Sequence, residues 1–245
     1  MKRAFLIEMT VLKSYVRQLV GLGFFVSICV SIGMQSIVSV PGILTMMMFM
    51  MGSMSAAAYD EQSGWGLFRL TMPVSRRDVV LARYGVILSL GVVGALVGLA
   101  AVAVLTVAAT AVELPAGLSA ALAFSPENMK ATLFASMFCM AMGSTISSIV
   151  TPIYFRLGQT KATQYIPMIV VLIFIVPLLV LGGTGVLDAG SVHLEGIMRV
   201  LAEVLAFIET PAGVAAFSGA ALVFVLAVLG ISATVSLKLY ESREL

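Results

Sequence analysis

Of the 245 residues, 60% are hydrophobic and only 11% charged, and the mean hydropathy is +1.11; that balance excludes an ordinary soluble domain and places the chain in a membrane. The formal net charge of +2 is small, and in a membrane protein the placement of Lys and Arg reports orientation and not a nucleic-acid partner. Two cysteines inside apolar runs, Cys29 and Cys139, and a single histidine, His193, supply neither a disulfide framework nor a zinc site.

The opening stretch, MKRAFLIEMTVLKSYVRQLV, delays its long apolar run to about residue 19 and keeps basic residues as far as Arg17. A cleaved signal peptide begins a short apolar stretch soon after its basic start, so this delayed one reads as an uncleaved cytoplasmic lead-in. Within residues 2–18, Arg3, Lys13 and Arg17 share one helical face and Phe5, Met9, Leu12 and Val16 another. This is the pattern of an interfacial amphipathic helix lying flat at the bilayer surface.

Crossing about 30 Å of hydrocarbon takes roughly 20 apolar residues. Six runs approach or exceed that length: Leu19–Val40, Gly42–Ala58, Tyr84–Val112, Ala131–Tyr154, Gln164–Leu187 and Ala212–Leu237. The second is the shortest and follows Pro41–Gly42, which predicts a tight hairpin between spans one and two. Residues 59–83 form a long polar loop. Residues 188–211 carry Leu194, Ile197, Leu201, Val204 and Ile208 on a helical stripe against Glu195, Arg199 and Glu203, which fits an outer amphipathic segment, either surface or re-entrant. The expectation is a single all-α transmembrane domain over residues 1–245.

Twelve of the 14 Lys and Arg residues fall in the N-terminal segment, the loops after spans two and four, and the tail; Lys130 and Arg199 fall on the other side. The positive-inside rule then puts both termini and the 59–83 loop in the cytoplasm, in a cell (plasma or inner) membrane. No Asp, Glu, Lys, Arg or His lies within the six spans as drawn. Ionisable groups in the bilayer mark proton relays and ion-coupling sites, so their absence argues against an ion-driven transporter. It argues equally against an intramembrane protease. None of the 22 glycines is followed by Lys, so there is no phosphate-cradling P-loop. The chain is not expected to be an enzyme, and energy for any active transport must enter from another polypeptide.

Charge crowds into YDEQSGWGLFRLTMPVSRRDVVLARY, residues 59–84. Gly64 and Gly66 flank the chain's single tryptophan, Trp65, which suits the headgroup belt or a partner's pocket. Pro73 interrupts regular structure, and Ser75-Arg76-Arg77-Asp78 matches a capping box ahead of Val79, so a helix is expected to start at Ser75 and continue into span three. Loops in helical bundles usually run two to eight residues. A docking element explains the greater length here, together with Trp65, Leu67, Phe68 and Leu70, which a solvated basic loop does not.

This segment resembles the region between the second and third spans in membrane (permease) subunits of ABC-2 type transporters, where Y-D-E-x-S-G-W, L-P-[LV]-S-R and [LA]-[KR]-Y recur. VTPIYFRLGQTKATQYIPMIVV resembles that family's second cytoplasmic loop. Thr71-Met72 departs from the usual Ser-Leu, and Gln159 and Ala162 stand at places often charged. The resemblance implies six spans in an ABC-2, type V exporter-like architecture, and a dimer with a second copy or a paralogous permease. It further implies cytoplasmic ABC ATPase subunits that hold ATP and Mg²⁺, the chain itself holding no cofactor. Each permease of the family docks on its ATPase through a coupling helix in the first cytoplasmic loop. By carry-over, Glu61, Gln62, Trp65, Leu67, Phe68 and Arg69 become candidate ATPase contacts, flanked by Arg76 and Arg77.

For a substrate pathway the candidates are uncharged. Six of 16 methionines sit in span two, Met46, Met47, Met48, Met50, Met51 and Met54. Methionine suits surfaces that accept varied apolar shapes, although consecutive methionines must also turn some side chains to lipid. Ser27, Ser31, Gln35 and Ser39 rise at intervals of four along span one, and Ser144 and Ser148 belong to a hydroxyl cluster in span four; such residues serve substrate contact or close helix packing. Gln35, Ser39, Met47, Met51, Met54, Ser144 and Ser148 are the pathway candidates. Such a lining suits an apolar or amphipathic cargo, with a peptide or toxin favoured over a lipid or drug. A non-transporting immunity or scaffold subunit of the same architecture is the rival reading.

Overall fold

The computed structural model describes residues 2–62, 65, 68, 71, 72, 74–111, 122, 125–158, 160–165, 168, 172, 176, 199, 207 and 210–242. Among these are five long helices: α1 (Lys2–Met34), α2 (Val40–Gln62), α3 (Arg76–Ala111), α4 (Pro126–Leu157) and α5 (Pro211–Glu241). All five are long and apolar enough to cross a membrane, and no strand occurs among the described residues. The fifth expected span and the outer amphipathic segment lie almost wholly outside the described residues.

The lead-in and span one are a single helix. At about 1.5 Å per residue the 33 residues of α1 make a rod roughly 50 Å long. Ala4, Glu8, Leu12, Leu19, Gly23, Ser27 and Ser31 bury one continuous stripe along it. Phe5, Met9 and Val16 join Leu12 and Leu19 against Met48, Ala56, Val86 and Leu90 of α2 and α3. The apolar face that the sequence assigned to lipid is thus covered by protein, which corrects the expectation of a detached surface helix.

The first hairpin also sits earlier than expected. α1 stops at Met34, and Gln35 takes a left-handed φ of 49°. A turn follows, and α2 begins at Val40. Pro41 occupies its first turn, where the missing N–H would have had no helical acceptor. Gly42 is helical, so the tight turn lies at residues 35–39.

α2 is the central helix, packed against α1, α3 and α4. Its approach to α3 depends on glycine: a Cβ at Gly98 would stand 2.5 Å from Pro41 Cα, and one at Gly94 would stand 2.9 Å from the Leu44 carbonyl oxygen. The GALVG pattern is therefore the α2–α3 contact. Enclosure on three sides covers the methionines of span two to different degrees. Met48 is fully buried and Met46, Met47, Met50, Met51 and Met54 are half-buried.

Helix starts follow local chemistry. Ser75 Oγ accepts the Asp78 N–H at 3.1 Å and opens α3 as expected. Ser125 and Thr210 cap α4 and α5 in the same way, each followed by a proline at the first helical position. α4 closes at Gly158, whose φ of 76° suits glycine and whose N–H bonds the Tyr154 carbonyl.

Ring contacts fix the direction of the last helix. Phe134 and Phe217, near the starts of α4 and α5, have centroids 4.5 Å apart, and Phe155 and Tyr240, near their ends, 5.3 Å. α4 and α5 therefore run parallel. The end of α4 and the start of α5 lie at opposite ends of the bundle, and the expected fifth span, Gln164–Leu187, falls between them in the chain, almost wholly outside the described residues. Arg83 touches Glu8, and Arg76 touches Tyr240. The start of α1 and the end of α5 thus lie at the same end of the bundle as the 59–83 loop.

Candidate coupling face

That end of the bundle is organised around a buried cation. Arg83, one helical turn into α3 beyond Val79, is 3% exposed. Its Nη2 donates to Asp60 Oδ2 of α2 at 2.8 Å and to Glu8 Oε1 of α1 at 3.1 Å. The guanidinium lies 5.7 Å from the Phe155 ring centroid of α4, where an aromatic face adds electrostatic stabilisation. A guanidinium in so dry a place requires counter-charges. Two carboxylates on separate helices provide them, and one side chain so ties four helices together.

Beside it Glu61, the neighbour of Asp60 near the end of α2, reaches the segment that follows α4. Its Oε2 accepts the Thr160 backbone N–H at 2.9 Å and the Thr160 hydroxyl at 2.6 Å. Residues 160–165 are helical, and an acidic group at such a start satisfies a backbone donor that has no helical partner. Arg76 plays the mirror role at the end of α5. Its Nη1 donates to the carbonyls of Tyr240 and Glu241 at 3.3 and 3.2 Å, and its guanidinium packs 5.7 Å from the Tyr240 ring.

A hydroxyl chain lies just beneath. Ser232 donates to the Ser148 carbonyl at 2.6 Å; Tyr84 Oη stands 2.5 Å from Ser232 Oγ and 2.7 Å from Ser236 Oγ. One assignment satisfies all three contacts: Tyr84 donates to Ser232 and accepts from Ser236. Ser147 donates to the Phe49 carbonyl at 2.9 Å and pins α4 to α2.

Of the residues expected to meet a partner, Trp65 and Phe68 lie together, Trp65 half-buried and Phe68 exposed. Their ring centroids are 5.6 Å apart, and Phe68 is 56% exposed. Thr71 turns back on Phe68, donating from both its N–H and its hydroxyl to the Phe68 carbonyl. Gln62 ends α2 and Arg77 is exposed. Glu61 and Arg76 are engaged within the chain as described, while Leu67 and Arg69 lie outside the described residues.

The pathway candidates do not share one space. Gln35 and Ser39 belong to the 35–39 turn and not to span one, because α1 ends before them. Met47 and Met51 pack toward α1, Met51 accepting from Tyr15, while Met54 packs on the opposite flank against Ile146 and Val150 of α4. Ser144 and Ser148 are buried in α4, and Ser144 bonds the Ala141 carbonyl of its own helix. Close helix packing is the role the geometry assigns to these two serines.

Sequence reading missed the Glu8–Arg83–Asp60 cluster and the Glu61–Thr160 contact. One signal was present: Glu8 precedes Leu12 by four residues and so shares the buried face of α1. Among the described residues no group of acidic, His or Cys side chains could hold a metal ion.

Five apolar helices, with basic residues and long-range ion pairs gathered at one end, define a multi-pass membrane protein. Residues 5–241 match the family model described as ABC-2 family transporter protein. The match spans nearly the whole chain, which therefore belongs to that family and is a membrane subunit of an ABC transporter. No curated protein and no solved structure matches it significantly.

Proposed function

We propose that the chain is the permease subunit of an ATP-driven exporter, working as a dimer in the cell membrane and docking a cytoplasmic ATPase subunit through the segment that follows α2. The observation that carries this reading is the Trp65–Phe68 pair. Two large aromatic side chains, Phe68 exposed and Trp65 half-buried beside it, sit on a segment whose base is fixed by Asp60 and Glu61, and rigidly based aromatic anchors are the usual centre of a protein interface. The basic residues collected at this end support a cytoplasmic location for it and for both termini.

Hydrolysis of ATP belongs to the partner, which holds the nucleotide and Mg²⁺. The cargo is apolar or amphipathic, with a peptide or toxin the favoured class, a reading supported by the absence of charged residues from the six spans expected from the sequence. Replacing Trp65 and Phe68 by alanine tests the reading in membrane vesicles. The variant should insert normally yet lose ATPase association and the ATP hydrolysis that depends on it. Normal association by that variant sinks the docking assignment, and association without export of any peptide, lipid or drug turns the reading toward an immunity or scaffold subunit.

A further inference from the structure

The docking reading leaves open how displacement of Trp65 and Phe68 reaches the helices. Asp60 and Glu61 are consecutive in α2, so their side chains leave the helix about 100° apart, and they serve different neighbours. Asp60 meets Arg83, which also holds Glu8; Glu61 meets Thr160 through two hydrogen bonds to one oxygen. Arg83 is 3% exposed and cannot swing toward solvent without separating both ion pairs. Two charge-assisted bonds from one residue likewise hold a carboxylate in direction as well as distance.

We infer that Asp60 and Glu61 are positioning residues that make the end of α2 a two-way transmission point. One arm runs through Arg83 to the starts of α1 and α3, and the other through Thr160 to the helical residues 160–165. The inference rests on the docking reading for its input, Trp65 and Phe68, which stand five and eight residues beyond Asp60. Movement of that segment then shifts the first helix and the second cytoplasmic segment together.

Hydrogen–deuterium exchange on the full chain in nanodiscs, with no ATPase present, tests this. In the wild-type background, Trp65→Ala with Phe68→Ala should change exchange in peptides covering residues 4–12 and 160–165 by about twofold or more, and in an Asp60→Asn/Glu61→Gln background the same pair should add nothing. Glu61→Gln alone should speed exchange of the Thr160 amide roughly tenfold. Equal effects in both backgrounds, or no change at 160–165 in the wild-type background, overturn the inference. If the Asp60→Asn/Glu61→Gln chain loses helical circular dichroism, Glu61→Gln serves as the background and the prediction applies to 160–165. A merely structural role would change the baseline without abolishing the response to the aromatic substitutions. Because the ATPase is absent, failure here leaves docking intact, and failure of docking leaves the exchange result standing.

Discussion

Replacing Arg83 by methionine keeps the bulk of the side chain and removes the charge, leaving Glu8 and Asp60 facing each other across a dry junction. Removing one partner of a buried ion pair destabilises by about 3–5 kcal/mol, because the remaining charge loses a counter-charge in a place with little water. The Glu8 side chain is 6% exposed and gains little water in exchange, whereas Asp60 at 22% regains some. The loss should therefore fall near the lower end, about 3 kcal/mol. For a chain of this size that is a drop of roughly 6–12 °C in apparent Tm. The triple variant Glu8→Gln/Asp60→Asn/Arg83→Met should recover most of it, since a cluster neutralised as a whole strands no charge. Arg77→Met, on an exposed neighbour, should stay within about 0.5 kcal/mol of wild type. Thermal melts in nanodiscs followed by circular dichroism read all four proteins. If Arg83→Met melts within about 2 °C of wild type, or the triple variant is no better than the single, the junction is not the electrostatic tie described.

Further outcomes follow from the packing. Gly98→Ala should separate α2 from α3 and destabilise by about 1–3 kcal/mol, whereas Gly219→Ala, whose added methyl would meet nothing among the described residues, should be neutral in the same melt. Tyr84→Phe removes the link between Ser232 and Ser236 and should cost about 1 kcal/mol, with helix content by circular dichroism unchanged. A cysteine placed at Arg77 in a chain lacking Cys29 and Cys139 should react with an impermeant maleimide only in inside-out vesicles; labelling in right-side-out cells refutes the cytoplasmic assignment of this end.

Much of the architecture was legible because helices in a bilayer must be long and apolar, and that demand leaves a direct trace in composition. The Ser75 start was legible for a similar reason: a capping hydroxyl and its helix are neighbours in the chain. The extent of α1 was not, since basic residues up to Arg17 resemble a surface helix whether or not the backbone continues into the span. Arg83 looked like one more positive-inside residue. Its partners lie 23 and 75 positions away, and a long-range pairing of that kind carries no local period or spacing. The hydroxyls of span four were legible as a cluster, but whether such groups face cargo or a neighbouring helix is decided only by tertiary packing.

The α4–α5 pair is joined differently at its two ends. Near Phe155 and Tyr240 it is tied by the Ser232–Ser148 bond, and α5 is held there also by Tyr84 and Arg76 of α3; near Phe134 and Phe217 the aromatic rings meet. Ring faces slide with little penalty, but buried hydroxyls do not part without leaving donors and acceptors empty. Parting α4 from α5 at the loop end therefore costs the Ser232–Ser148 bond, and moving α5 away from α3 there costs the two Tyr84 contacts as well.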